Sequence, residues 1–174
     1  MAPGRKESFR RVFLREFERI IFRGARIEVQ GVNHSQYSRD CEPTKDSDAF
    51  TLAEKINIMK NAPFGVFLKN EKWGEDFVEP DLMVICDPNK VDEKGCHGAP
   101  DWVIEIVSLS SRMRDYLQKA NLYMNNGVRE YWIVDPVREV TVVYKREEEG
   151  FPVIYKFGEP VKAGIYEDLE ITIE

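Results

Sequence analysis

The sequence predicts an α/β domain built on a mixed sheet, and three observations carry that prediction. Two apolar runs of strand length, DLMVICD at 81–87 and WVIEIVS at 102–108, are joined by the turn-rich NKVDEKGCHGAP; near-continuous hydrophobicity marks strands buried on both faces. The second run leads into helical spacing and then another strand, YWIVD at 131–135. Strand, helix, strand in that order makes a right-handed crossover between parallel strands. Beyond it, VTVVYK at 140–145 alternates like an outer strand, and the tail IYEDLEITIE adds a last short one.

The remaining elements are read from local signals. Phe9, Phe13, Phe17 and Ile20 or Ile21 recur at helical spacing, with Arg10, Arg11, Arg15 and Arg19 mostly on the other faces, which predicts an opening amphipathic helix. Arg26 to Gln30 fits a short strand, and the polar segment after it, broken by Pro43, reads as loop. Asp46 or Ser47 caps a predicted helix carrying Phe50, Leu52, Ala53, Ile56 and Met59, which ends before Pro63, and Phe64 to Lys69 reads as a strand. After WVIEIVS, Ser110 or Ser111 caps a helix with an apolar stripe of Met113, Leu117, Ala120 and Tyr123 or Met124, and Gly127 stops it in a left-handed conformation. The 174 residues suit one domain, with helices and loop over 1–62 and the sheet core over 63–174.

Composition excludes several function classes. Acidic residues outnumber basic ones 31 to 25, a net charge of −6, so a broad cationic surface for polyanions is not expected. The first 30 residues carry a balance of +4, which leaves −10 for the rest; an ordinary solvated helix face accounts for that asymmetry better than a phosphate-binding arm. No apolar run of about 18 residues spans a membrane, and the basic start lacks a signal-peptide core, so a cytoplasmic protein is expected. Cys41, Cys86 and Cys96 form no C-x-x-C pair, and His34 and His97 stand in no zinc-binding pattern.

Glu105 is the informative residue, because it lies inside an apolar strand. A buried carboxylate takes a proton or finds a cation, since desolvation costs it several kcal/mol. A salt bridge to Arg112 or Arg114 would satisfy it structurally. Asp81, opening the preceding buried strand after Pro80, offers the alternative of a divalent ion shared between two carboxylates. Oxygen ligands without histidine or thiolate suit Mg²⁺ or Mn²⁺. Asp101 also follows a proline, but at four residues from Glu105 on one strand it stands about 13 Å away, too far to share an ion, so it reads as a strand-start or supporting residue. Lys119 follows Asp115 by four positions on the next helix; spacing alone favours an exposed ion pair over a catalytic role. Tyr116, Tyr123, Tyr131 and Trp132 fall in helix stripe and strand, where core packing is the better reading than a base-stacking platform.

The strings EPDLMVICDPNKVDEKGCHGAPDWVIEIVS and RDYLQKANLYMNNGVREYWIVDP, with the tail KAGIYEDLEITIE, resemble the Uma-type restriction endonuclease family of the PD-(D/E)XK nuclease superfamily from about Glu79 onward. The resemblance implies a restriction-endonuclease-like core, a mixed sheet flanked by helices. It implies Asp81 and Glu105 as metal-binding carboxylates, a carbonyl ligand from the backbone at Ile106, and Lys119 as the catalytic lysine. The lysine's usual place, two residues after the glutamate, is here Val107, and the family is understood to carry it on the neighbouring helix. GVNHSQ at 31–36 resembles a His-Gln segment of the family, which leaves His34, and Glu18 before it, as further candidates. The family's Ser-Pro-Ser-Thr is replaced by Ser108, Leu109, Ser110 and Ser111.

The leading function is therefore a Mg²⁺- or Mn²⁺-dependent endonuclease acting on DNA. A homodimer is expected if both strands are cut, because that needs two sites. Two alternatives stay open: a nuclease-fold scaffold that has lost catalysis, favoured by the net charge and the altered N-terminal half, and a metal-dependent hydrolase of a small nucleotide or phosphate ester.

Overall fold

The computed structural model describes residues 27–30, 58–61, 63–108, 114–148, 151–165 and 169–174. In chain order the strands are β1 (Ile27–Gln30), β2 (Ile58–Asn61), β3 (Val66–Asn70), β4 (Gly74–Val78), β5 (Leu82–Ile85), β6 (Cys96–His97) and β7 (Trp102–Ile106). A π-helical turn, Arg114–Lys119, runs into helix α1 (Ala120–Asn126), and the strands continue with β8 (Glu130–Asp135), β9 (Val140–Lys145), β10 (Pro152–Lys156), β11 (Val161–Lys162) and β12 (Glu170–Ile173).

Six strands make the central mixed sheet, in the order β10-β9-β8-β7-β5-β2. Only β7 and β8 run parallel, joined by the crossover through α1, as the strand–helix–strand pattern predicts. Two three-stranded sheets, β1-β12-β11 and β4-β3-β6, complete the described fold.

Side chains alternate across the central sheet, and each set finds its own core. Leu82, Val84, Trp102, Ile104, Trp132 and Val134 face one way and pack on Val161, Leu169, Ile171 and Ile173. Met83, Ile85, Val103, Tyr131 and Ile133 face the other way, onto Val66, Leu68, Ala120 and Tyr123. Burying each large apolar side chain contributes about 1.5–3 kcal/mol. Burial on both faces explains why these strands read as unbroken apolar runs. Of the two faces, only the second meets a helix among the described residues; the first is covered by a sheet.

Several elements depart from expectation. Met59 lies in β2, paired antiparallel with β5, so the predicted helix through it does not reach its expected end. Backbone pairing with a buried strand overrides the local helical spacing there. The rest of that helix, the opening helix, the caps at Ser110 and Ser111, and Glu18 and His34 lie outside the described residues. Within the crossover helix Ala120 and Tyr123 of the predicted stripe are buried as expected, but Leu117 is exposed and Asp115 is buried in its place. A π turn spends an extra residue per turn and so rotates the residues on either side of it relative to one another. Strand β9 is not outermost either, because β10 pairs with it from Val140 to Tyr144. Among the described residues no helix is long and apolar enough to cross a membrane.

Candidate active site

The register of the central sheet builds the site. Leu82 pairs with Ile104 and Met83 with Val103, and one step further along the same antiparallel register sets Asp81 opposite Glu105. Side chains so opposed stand about 5 Å apart at Cβ. Both project on the face that α1 covers, since they keep phase with Met83 and Val103. Asp81 Oδ2 accepts a 2.7 Å hydrogen bond from the Ile106 N–H. Val107 N–H instead turns to β8, donating to the Val134 carbonyl. One strand residue sends its N–H and C=O to the same side, so the Ile106 carbonyl is also directed to the β5 edge.

The helix supplies the opposite wall. Lys119 Nζ lies 2.7 Å from Glu105 Oε1 and 3.2 Å from Asp115 Oδ1, and the Tyr123 hydroxyl donates to the same Glu105 oxygen at 2.9 Å. The Tyr131 hydroxyl donates to the Asp115 carbonyl at 3.1 Å, anchoring the π turn to β8. The Asp115–Lys119 pair is thus not the exposed surface pair that spacing favours: Asp115 is only 2% exposed. Glu105 finds its cation in Lys119; the side chains of Arg112 and Arg114 lie outside the described residues.

Burial governs the electrostatics. It pushes the Glu105 carboxyl up to about 7, against the opposing pull of Lys119 and the Tyr123 hydrogen bond, with the nearby Asp81 charge adding to the rise. Asp81 is likewise raised by burial, with the Ile106 N–H and Lys119 working the other way. For Lys119, burial alone would lower the ammonium, but the Glu105 and Asp115 carboxylates outweigh it and raise its pKa. The Asp81 charge opposes ionisation of Glu105 across the strands, a repulsion that a divalent cation between them would relieve. Among the described residues no group of three or more His, Cys, Asp or Glu side chains gathers at metal-binding spacing. The oxygens on offer are those of Asp81, Glu105 and the Ile106 carbonyl, a hard donor set that suits Mg²⁺ or Mn²⁺.

Asp101 takes the supporting place expected of it. Its Oδ2 accepts from the Cys86 N–H at 2.7 Å, and it pairs with Arg129 at 3.7 Å. Tyr123, Tyr131 and Trp132 are buried in the core. Sequence reasoning misses Tyr123 as a partner of Glu105 and Asp115 as a buried partner of Lys119, yet a signal is present: 115, 119 and 123 recur every four residues along one face.

The mixed sheet with its crossover helix belongs with nuclease-like folds. The family model for Uma2, described as "Putative restriction endonuclease", matches residues 49–173, and the chain belongs to that family. The match begins some thirty residues before the strings from which the resemblance is legible. Among solved structures, the chain is similar to a putative nuclease of DUF820 from Anabaena variabilis, with a TM-score of 0.50 and 17% identity over 66% of this chain and 63% of that one. That likeness bears on the fold, and the chain spans under two thirds of that neighbour. No curated protein matches.

Proposed function

We propose that this chain is a divalent-metal-dependent endonuclease that hydrolyses phosphodiester bonds in DNA, with residues 63–174 forming the catalytic core of a single domain. The observation that carries the proposal is the cross-strand opposition of Asp81 and Glu105 with Lys119 drawn against Glu105 at 2.7 Å. A helical lysine bonded to the second carboxylate supports its reading as the lysine that is absent from Val107. Asp81, Glu105 and the Ile106 carbonyl would hold Mg²⁺ or Mn²⁺, which supplies Lewis acidity towards a phosphoryl oxygen and the positive charge that an acidic protein lacks.

The chain's own groups do the rest. Lys119 carries a full charge beside the carboxylates and neutralises a phosphate entering the site. Asp115 fixes the lysine from the other side, and Tyr123 fixes Glu105, so neither side chain must be ordered when substrate arrives. DNA is the substrate that the family description favours, a homodimer would place two such sites on one duplex, and the cytoplasm is the expected compartment.

The test is nicking of supercoiled plasmid in Mg²⁺ or Mn²⁺ by the wild type, Glu105→Gln and Lys119→Ala, purified identically. The expected outcome is metal-dependent nicking by the wild type, stopped by chelator, with each variant slower by at least about a hundredfold. Equal behaviour of the three proteins would remove the catalytic reading and leave a silent scaffold.

A further inference from the structure

A groove runs from Lys119 between strand β4 and the α1 face, enclosing about 660 Å³. One wall carries three amides, Gln118, Asn121 and Asn125, spaced three and four residues apart so that they share one face of the helix. All three are exposed. The opposite wall presents Asp76, Glu79 and the ring of Phe77, which is 57% exposed. Phe77 is held in place against Phe67, with ring centroids 5.2 Å apart.

This lining is wrong for a phosphate backbone and right for bases. Lys119, at the end of the groove beside the carboxylates, is the only cation along it among the described residues. Two carboxylates on the facing wall repel phosphates. Amides, by contrast, donate and accept together, which suits the N6 and N7 edge of adenine. An exposed aromatic face adds stacking to any base. We propose that the groove receives the bases flanking the cleaved phosphate and favours adenine there, through Gln118, Asn121 and Asn125. The proposal rests on the nuclease reading above and adds its sequence preference.

The test uses a pool of end-labelled DNA duplexes of random sequence with the full chain. Cut positions are sequenced after reaction in Mg²⁺, and bound duplexes are sequenced separately in chelator. The combined variant Gln118→Ala, Asn121→Ala, Asn125→Ala is compared with single Asn121→Ala and with Lys94→Ala, a change at an exposed residue away from the groove. The expected result is enrichment of adenine beside the cut by about fivefold or more. The single variant reduces it, the combined variant abolishes it, and Lys94→Ala keeps it. Cleavage without that enrichment, or with enrichment unchanged in the combined variant, overturns the groove assignment while the nuclease reading stands. Enriched binding that the combined variant loses, without any cleavage, keeps the groove and removes the catalytic reading. Absence of both binding and cleavage removes both.

Discussion

Glu105 keeps its proton to about pH 7 in the folded chain because burial outweighs its two donors, whereas its ordinary value is 4.5. The unfolded chain therefore releases that proton first as pH rises. Between about 4.5 and 7 the unfolded state binds fewer protons than the folded one, so stability falls across that window; below it both states are protonated and the cost is absent. Its full size is on the order of 3 kcal/mol. Denaturant midpoints measured in chelator from pH 4 to 8 are expected to fall through this window in the wild type, with a flatter profile in Glu105→Gln. Identical profiles would contradict the burial account. At this scale the two acids are legible in the sequence, because a carboxylate in an apolar strand demands a partner. The surroundings of Lys119 are not: i, i+4 spacing says that Asp115 and Lys119 can meet, but not that the pair is buried, which depends on β8 and Tyr131 packing over it.

Helix α1 ends at Gly127, whose φ of 93° is left-handed and whose N–H donates to the Met124 carbonyl. A side chain there meets a backbone penalty of about 1 kcal/mol, and its Cβ would also come within 2.7 Å of the guanidinium tip of Arg146. Gly127→Ala should thus lower unfolding stability by about 1–2 kcal/mol in a denaturant titration, and an unchanged midpoint would show that the cap is dispensable. That stop signal is readable from the sequence, as are the strands around 82–85, 102–106 and 131–135, because buried runs bounded by Asp-Pro or glycine leave little choice. The helix phase is readable at Ala120 and Tyr123 but not at Leu117, which the π turn rotates outward. Strands β4 and β10 also escape: GEDFV and PVIYK are mostly exposed, and their hydrogen-bonding partners rather than their hydrophobic pattern make them strands.

Across the whole molecule, Glu130 ties the central sheet to the segment leading from β11. It is 1% exposed and accepts from Trp132 Nε1 at 2.7 Å and from the N–H groups of Gly164 and Ile165 at 2.6 and 3.2 Å. Glu130→Ala leaves three donors without this acceptor and should cost about 3 kcal/mol or more by denaturant midpoint; a loss under about 1 kcal/mol would mean that water replaces the carboxylate. The mixed α/β class is legible at this scale from the order of buried strands and crossover helix. The closure of the first face by a sheet is not, because it brings β1 against β12 from distant parts of the chain, and short strands carry no mark of so remote a partner.

The claim on which the function rests is that Asp81 and Glu105 together hold one divalent ion. Titration of Mn²⁺ monitored by electron paramagnetic resonance tests it directly, comparing the wild type with Asp81→Asn and Glu105→Gln, each verified as folded by circular dichroism. One Mn²⁺ bound per chain in the wild type and none in either variant at the same concentrations is the predicted result. Equal binding by all three proteins, or none by the wild type, would contradict it.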